Sequence, residues 1–487
     1  MPKLWKSSKP MVSTQPDRVL DPGRVLAETK SVCPVCLNRI DAEYFTRGET
    51  VLLVKTCPEH GQFETPVWEG TENFLAWRKQ QNPAQTPVNP ARKAERGCPY
   101  DCGLCENHLQ ASCCVLLELT RRCDLRCPVC FASSGSTADA DGGNPSADDP
   151  PLETIAYWYD RILAQGGPFN IQLSGGEPAL RNDLPEIIRI GKGKGFSFFQ
   201  LNTNGLRIAR EPLYLQALAK AGLNTVFLQF DSLKAEACTT IRGRNIVAEK
   251  KLALENCAKA GLGVVLTPTV RRGVNDTEIG EIIDFAAANM PTVRGVHFQP
   301  MSFFGRYFGD PVADRVTLSR MLTLAEEQSC GRIKTADFLP GGAEHPQCSF
   351  HATYRVRGNS WELRKSTGNS GCCRGNSGSS TSDTARRTVA RQWSAVKTLA
   401  PARPAGSSPA LKGFNLESLN TFVVLEEQQE KETLEISGMA FQDAWTVDLQ
   451  RLSRCYINIV SPGGFLMPFC AYNLTSAGGG RLHRGVV

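Results

Sequence analysis

Residues 115–130, VLLELTRRCDLRCPVC, decide the fold. The apolar run 115–119 reads as a short buried strand. Three cysteines follow it at once with the spacing C-x3-C-x2-C: Cys123, Cys127 and Cys130. Three thiolates on one tight loop can hold three irons of a 4Fe–4S cluster and leave the fourth iron free for a small molecule. Zinc is the alternative, but structural zinc normally takes four ligands. These three residues are the candidate catalytic centre.

Downstream of this loop, strands and helices alternate. Apolar or β-branched runs at 115–119, 169–174, 196–202, 225–230, 263–270 and 295–300 read as strands. Amphipathic stretches near 152–165, 184–194, 213–221, 245–260 and 276–289 read as the helices between them, with another at 316–328. Parallel neighbours need helical crossovers, so six such units indicate an α/β fold, a partial (β/α)6 barrel. A doubly wound open sheet is the rival topology. Sites in such barrels sit at the C-terminal strand ends.

Polar motifs fall at those ends. Ser174-Gly175-Gly176-Glu177-Pro178 follows the second strand and Asn202-Thr203-Asn204-Gly205 the third. Glycines there permit close backbone approach to a ligand. The fourth strand ends Gln229-Phe230-Asp231, the fifth Thr267-Pro268-Thr269, and the sixth His297-Phe298-Gln299-Pro300. A cap or turn role competes with ligand binding at each, and a satisfied structural histidine is the commoner fate of a residue like His297.

The chain has 19 cysteines in 487 residues. Cytosolic thiols are kept reduced, so this number points to metal or redox chemistry rather than disulfides. A second C-x3-C-x2-C, Cys98, Cys102 and Cys105, precedes the barrel and reads as an auxiliary 4Fe–4S site, with zinc as the alternative. Its fourth ligand could be Cys113, Cys114, His108 or a distant cysteine such as Cys348. Further upstream, Cys33 and Cys36 are followed after 20 residues by Cys57 and His60. Two short ligand pairs on facing turns are the pattern of a rubredoxin-like or zinc-ribbon knuckle, suited to zinc or a mononuclear iron.

On these motifs the chain resembles the radical S-adenosylmethionine (SAM) superfamily, whose fold is a partial (β/α)6 barrel. The resemblance implies that Cys123, Cys127 and Cys130 hold a cluster whose open iron chelates SAM. It implies reductive cleavage to a 5′-deoxyadenosyl radical that abstracts hydrogen from an unactivated C–H position. Ser174 to Pro178 match the superfamily's GGEP motif at the methionine ammonium of SAM. Asn202, Thr203, Asn204 and Asp231 match polar strand ends near its methionine and ribose, and Val129 the apolar position near adenine. The order of knuckle, GCPYDCGLC, CDLRCPVCFA, SGGEP, NTNG, VHFQPMSFFGR and PFCAYN is similar to one branch. That branch contains tetraether lipid synthase and the radical SAM methylases of methanopterin biosynthesis, and the radical SAM (seleno)proteins called TrsS look most alike. Methylation or carbon–carbon bond formation on a small-molecule or lipid substrate is what the branch implies, with an electron donor such as ferredoxin or flavodoxin.

The expected organisation is a flexible lead (1–30), the knuckle (31–70), a linker with the auxiliary cysteines (71–114) and the barrel (115–330). An extension (331–357), a Gly/Ser-rich mobile stretch (358–412) and a C-terminal α+β segment (413–487) follow. The extension and C-terminal segment carry Cys348, Cys455 and Cys470, which could bind a further cluster or be buried thiols; Ala343 stands where relatives are expected to have a cysteine. The pair Cys372-Cys373 reads as reactive or idle. Formal net charge is only +6, without basic blocks, so nucleic acid is not an expected partner. No apolar run approaches the ~18–20 residues of a transmembrane helix, and the N-terminus lacks a signal peptide, so a cytoplasmic location is expected. A multi-cluster electron carrier is the rival function; it has no use for the SGGEP and NTNG strand ends.

Overall fold

The computed structural model describes residues 23–135, 149–364, 381–396 and 430–485. The Cys372-Cys373 pair and the apolar run 421–426, which reads as a strand in the sequence, lie outside these residues. The knuckle is a four-stranded antiparallel sheet of β1 (Val25–Val32), β2 (Arg39–Arg47), β3 (Thr50–Cys57) and β4 (Gly61–Glu69). Of these four strands the sequence shows only β3, as a strand-like run from Thr50 to Lys55. Strand β1 starts at Val25, inside the expected flexible lead. Strand β2 carries charged residues that hide its period-two pattern, yet Ala42, Tyr44 and Thr46 alternate inward. Helix α1 (Thr71–Arg78) closes this small core: the Phe74 ring lies 5.1 Å from Tyr44, and Trp77 lies 5.4 Å from Trp68.

The strand–helix alternation forms a parallel sheet. Its strands are β5 (Cys114–Glu118), β6 (Asn170–Ser174), β7 (Phe199–Thr203), β8 (Thr225–Gln229) and β9 (Gly263–Thr267). A two-residue strand, β10 (Thr269–Val270), follows, and then β11 (Val293–Pro300). The crossovers contain α2 (Leu152–Ala164), α3 (Leu184–Gly193), α4 (Leu206–Arg210) and α5 (Pro212–Ala221). They continue with α6 (Ala235–Arg242), α7 (Val247–Lys259) and α8 (Ile279–Ala288), and α9 (Leu318–Gln328) follows β11. The stripe Ile155, Tyr159 and Ile162 seats α2 on the sheet.

The sheet continues beyond six strands. A hairpin of β13 (Ser349–Arg357) and β14 (Ser360–Leu363), with β12 (Leu339–Pro340) beside it, joins one edge through β15 (Thr433–Met439). Strand β15 runs parallel to β11, and β16 (Ile457–Val460) runs parallel to β5, with β17 (Leu466–Pro468) outside it. Among the described residues the C-terminal segment thus adds one parallel strand to each edge of the expected barrel. Between those strands it also anchors the knuckle. Asp448 accepts hydrogen bonds from Thr29 and Tyr44, and the Ala444 carbonyl accepts one from Lys55 Nζ at 2.7 Å. Burial pushes the Lys55 ammonium down to about 7.

Helix α10 (Thr381–Trp393) crosses the N-terminal mouth of the barrel. Asn170 Nδ2 donates to Arg386 O at 3.1 Å, Thr225 Oγ1 to Trp393 O at 2.8 Å, and Arg294 Nε to Gln392 O at 3.1 Å. These donors sit at or near the starts of β6, β8 and β11, so the helix spans the floor.

Candidate active site and metal centres

Side chains alternate across each strand, so one row of the sheet meets the helices and the other faces inward. The inward row is unusually polar: Asn170 and Gln172, Gln200 and Asn202, Gln229, Thr267, His297 and Gln299, then Ser437. They line a cavity of about 1460 Å³ that reaches Cys123, Cys127 and Cys130 at the C-terminal end and α10 at the other. A packed barrel would fill this space with branched apolar side chains.

The cysteine loop is stitched to the strand ends by backbone contacts. Gly176 N donates to Thr120 O at 2.7 Å, and Glu177 N to Arg122 O at 2.8 Å. A Cβ on Gly176 would stand 2.2 Å from Arg122 O, so only glycine permits this approach. Glu177 is fully buried. Its oxygens accept from Ala179 N at 3.0 Å, Thr203 Oγ1 at 2.7 Å and Asn204 N at 2.7 Å. Burial pushes its carboxyl up to about 7 against those three donors. Asn204 Nδ2 then reaches Asp124 Oδ1, inside the cysteine loop, at 2.7 Å. The SGGEP and NTNG motifs therefore meet at the loop as one hydrogen-bonded unit. Of the expected SAM-binding residues, Gly175, Gly176, Glu177, Asn202 and Asn204 line the cavity, as does Val129. Ser174, Pro178, Thr203 and Asp231 stand behind them.

Two arginines had no assigned role in the sequence. Arg242 ends α6, a helix-like segment around Cys238 in the sequence that the strand–helix alternation did not include. Its Nε and Nη2 clasp the buried Asp231 carboxylate at 2.6 and 2.7 Å, and its guanidinium also reaches the Cys127 sulfur. Burial alone would raise the Asp231 carboxyl; Arg242 and the Thr269 N–H outweigh it and hold it below the usual range. Burial also pushes the Cys127 thiol up, with Arg242 opposing. Arg242→Gln is expected to lower unfolding stability by about 3–5 kcal/mol, because Asp231 is left buried and unpaired. Adding Asp231→Asn should recover most of that loss, read from urea midpoints. Equal midpoints for the single and double variants would refute the pairing argument.

Arg306 comes from the Phe-Phe-Gly-Arg run after β11, whose sequence signal was visible but unexplained. Its Nε donates to Cys127 O at 2.6 Å and its Nη2 to Ser134 O at 2.8 Å, while its backbone pairs with Cys130 in both directions. Gly305, at φ +68°, lets the chain pass: a Cβ there would lie 2.4 Å from Phe131 O. The loop that carries the triad is thus clamped from both the second and sixth strand ends. Three thiols on such a loop, beside a cationic guanidinium and an open polar cavity, fit the donor set of a three-cysteine cluster.

In the knuckle, Cys33, Cys36, Cys57 and His60 place their ligand atoms within 4.8 Å of one another. Cys36 Sγ and Cys57 Sγ are 3.9 Å apart, and His60 Nδ1 lies 3.7 Å from Cys33 Sγ and 3.5 Å from Cys57 Sγ. Tetrahedral zinc with bonds of about 2.3 Å to sulfur and 2.0–2.1 Å to nitrogen requires ligand edges of about 3.8 and 3.6 Å. The four residues fit that ion without rearrangement.

In the auxiliary triad Cys102 and Cys105 are buried and Cys98 is half-buried. Burial pushes Cys98 up to about 11, and Cys102 well above the usual thiol range. Cys455 joins Cys98 and Cys105 among the charges that act on Cys102. Cys348 and Cys470 lie close enough to Cys455 to act on one another, with Arg451 Nη2 3.6 Å from Cys348 Sγ. His108 Nε2 is 2.8 Å from the Cys455 carbonyl oxygen. Cys113 and Cys114 instead line the large cavity. Ala343 is fully buried beside Cys113 and Ala385.

Comparison with known proteins divides the chain the same way. Residues 117–286 match the family described as the Radical SAM superfamily, and residues 25–69 match the HMPTM N-terminal zinc ribbon domain. The chain is 39% identical over 316 residues to 7,8-dihydro-6-hydroxymethylpterin dimethyltransferase of Methanocaldococcus jannaschii, covering 64% of this chain and 61% of that protein. It is 31% identical over 188 residues to GTP 3′,8-cyclase of Marinobacter nauticus, covering 38% of this chain and 54% of that one. The chain thus spans roughly half to three fifths of the length of these curated relatives. Among solved structures, Streptococcus suis SuiB bound to the precursor peptide SuiA aligns with a TM-score of 0.36 at 16% identity, over 45% of this chain and 46% of that one. Among the described residues no helix is long and apolar enough to cross a membrane.

Proposed function

We propose that this chain, with its radical SAM domain and zinc ribbon, is a methylase that replaces a C–H bond of its substrate with a C–CH3 bond. The hydrogen leaves on 5′-deoxyadenosine from one SAM, and the methyl carbon comes from a second SAM that departs as S-adenosylhomocysteine. Two electrons are drawn from the reductant per methyl group. The observation that carries this reading is the convergence of the Cys123, Cys127 and Cys130 loop, the SGGEP turn and the NTNG turn on one end of a large polar cavity. A 4Fe–4S cluster on those three cysteines would supply the electron that splits SAM into methionine and a 5′-deoxyadenosyl radical able to take hydrogen from carbon. Gly175, Gly176, Asn202 and Asn204 would line the SAM site, with Ser174, Pro178, Thr203 and Asp231 shaping it from behind. Glu177 would hold the two turns in register, and Arg242 would steady the Cys127 thiolate. The barrel would exclude water from the reacting carbon.

The remaining metal centres serve this chemistry. Cys98, Cys102 and Cys105 would hold an auxiliary 4Fe–4S cluster, with Cys455 a further thiol whose charge acts on Cys102. Cys33, Cys36, Cys57 and His60 would hold one zinc ion. A ferredoxin or flavodoxin would reduce the enzyme. The methylase reading leans on the dimethyltransferase named above, and the TrsS likeness on the shared order of motifs.

The test is anaerobic reconstitution with iron, sulfide and zinc, then reduction in the presence of SAM and 7,8-dihydro-6-hydroxymethylpterin. The expected products are 5′-deoxyadenosine and an acceptor heavier by one or two methyl groups. Deoxyadenosine without any methylated acceptor would sink the methylase reading alone. No deoxyadenosine from a protein with a full complement of iron would sink the whole proposal.

A further inference from the structure

The loop that carries Cys123, Cys127 and Cys130 is flanked by more positive charge than its neighbours neutralise. Among the described residues the nearby carboxylates are already held: Glu118 by Arg484, Asp149 by Arg122, Asp231 by Arg242 and Asp124 by Asn204. Arg121, Arg126 and Arg481 remain exposed, and none of their side chains has a hydrogen-bond or carboxylate partner. None of the three lines the cavity, so whatever they meet lies outside the barrel.

Arg121 follows β5, and Arg481 is brought beside it by the C-terminal turn. That turn is pinned on several sides. Thr475 and Arg481 pair across it, Thr475 Oγ1 accepts from Gly305 N at 3.2 Å, and Ala477 N donates to Pro34 O of the knuckle at 2.8 Å. His483 Nε2 lies 2.8 Å from Pro99 O on the auxiliary loop. Arg484 stacks 5.6 Å from the Phe131 ring and 5.0 Å from the Tyr472 ring. The turn thus bridges the two cysteine loops and holds its arginines in place. Burial pushes the Arg481 guanidinium down, and the like charges of Arg484 and Arg121 push it further, with Glu118 and Cys130 opposing. Like charges are therefore fixed together, within the field of a cysteine of the barrel loop. Neither 121–131 nor 473–485 carries any of the exposed large apolar side chains, so charge rather than apolar burial must attract a partner here. Three free arginines are too few for the extended basic surface that nucleic acid requires.

We propose that the arginine rim outside the cysteine loop, centred on Arg121 and Arg481, is the docking surface for an acidic one-electron carrier protein. The proposal rests on the radical SAM reading, in which each SAM cleavage consumes one electron from outside, and says where that electron enters. The carrier is oxidised by one electron, which passes to the cluster on Cys123, Cys127 and Cys130; no bond forms or breaks at the rim. Redox encounters of this kind bury little surface, below about 1,200 Å², and depend on charge for their speed. A small, rigid, charged rim without apolar anchors suits such an encounter.

The test follows 5′-deoxyadenosine formation by the reconstituted protein with two reductants, an acidic flavodoxin held reduced and excess dithionite. Arg121→Glu combined with Arg481→Glu should lower kcat/KM for the flavodoxin about tenfold at low salt, through KM alone. At about 1 M salt, where screening acts within about 3 Å, parent and variant should converge. The dithionite-driven rate should not change, and Tm should not fall. Lys220→Glu, which makes the same kind of charge reversal near the end of α5, at the opposite end of the sheet, should match the parent. Parent-like flavodoxin kinetics in the double variant overturn the docking surface. An equal loss in Lys220→Glu also overturns it, since net charge would then be the cause. So does an equal loss with dithionite, since the arginines would then act on the cluster itself. A parent that forms deoxyadenosine with dithionite but not with the flavodoxin overturns the acidic carrier while the radical SAM reading stands; a parent inactive with both takes that reading down too.

Discussion

Changing Cys123, Cys127 and Cys130 together to Ala should abolish reductive formation of 5′-deoxyadenosine while leaving the protein folded and its other metal sites loaded. The physical reason is the division of labour among the cysteines. The three residues occupy one loop that faces the cavity. The second triad and the knuckle are built on separate segments, 98–105 and 33–60. The loop itself does not depend on the thiols for its shape. Arg306 clamps it to the sixth strand end, Gly176 and Glu177 tie it to the second, and Asn204 holds Asp124. Smaller side chains would leave that frame standing and remove only the ligands. Iron analysis of the variant should show the loss of about four irons, the content of one cubane. Deoxyadenosine formed at the parent rate by the triple variant would rule out the assignment.

The second large effect concerns the knuckle. Cys36→Ser should open residues 25–69 to protease and release the bound zinc while the triad's iron is retained. A module of about 40 residues cannot bury enough apolar surface to be secure by itself. Metal binding in such modules carries an apparent free energy of about 10–16 kcal/mol, much of it folding energy. The small core of Tyr44, Trp68, Phe74 and Trp77 and the docking of Thr29, Tyr44 and Lys55 onto 444–448 supply the rest. The expected readout is tryptic cleavage at Arg39, Arg47 or Lys55 in the variant, at sites the parent protects. A variant that keeps its zinc and resists trypsin as the parent does would end the reading of this sheet as a metal-held fold.

The chemistry-bearing motifs were legible because they are local. C-x3-C-x2-C, SGGEP and NTNG each fit within one short loop, and the knuckle's two pairs, Cys33 with Cys36 and Cys57 with His60, each fit on one turn, where covalent spacing fixes which ligands can meet. The parallel barrel strands were legible because their outward row, packed on the helices, is apolar and each strand sits between amphipathic helical stretches. Strands β1, β2 and β4 were hidden by charged residues on their exposed face. Strands β13 and β15 were not recognised because nothing local announces that a segment from beyond residue 430 adds a parallel strand beside β11.

By itself, then, the sequence singled out the candidate ligands of the barrel loop, the ligand group of the knuckle and the α/β alternation, since these depend on residues a few positions apart. Tertiary structure alone decided that Arg242 reaches Cys127, that Arg306 clamps the loop from 176 residues further on than Cys130, and that the charge of Cys455 acts on Cys102. It also decided that α10 floors the cavity with Trp393. Those contacts join segments far apart in the chain, and their partners are selected by the closed geometry of the sheet, in which strand order and register bring distant side chains to one point.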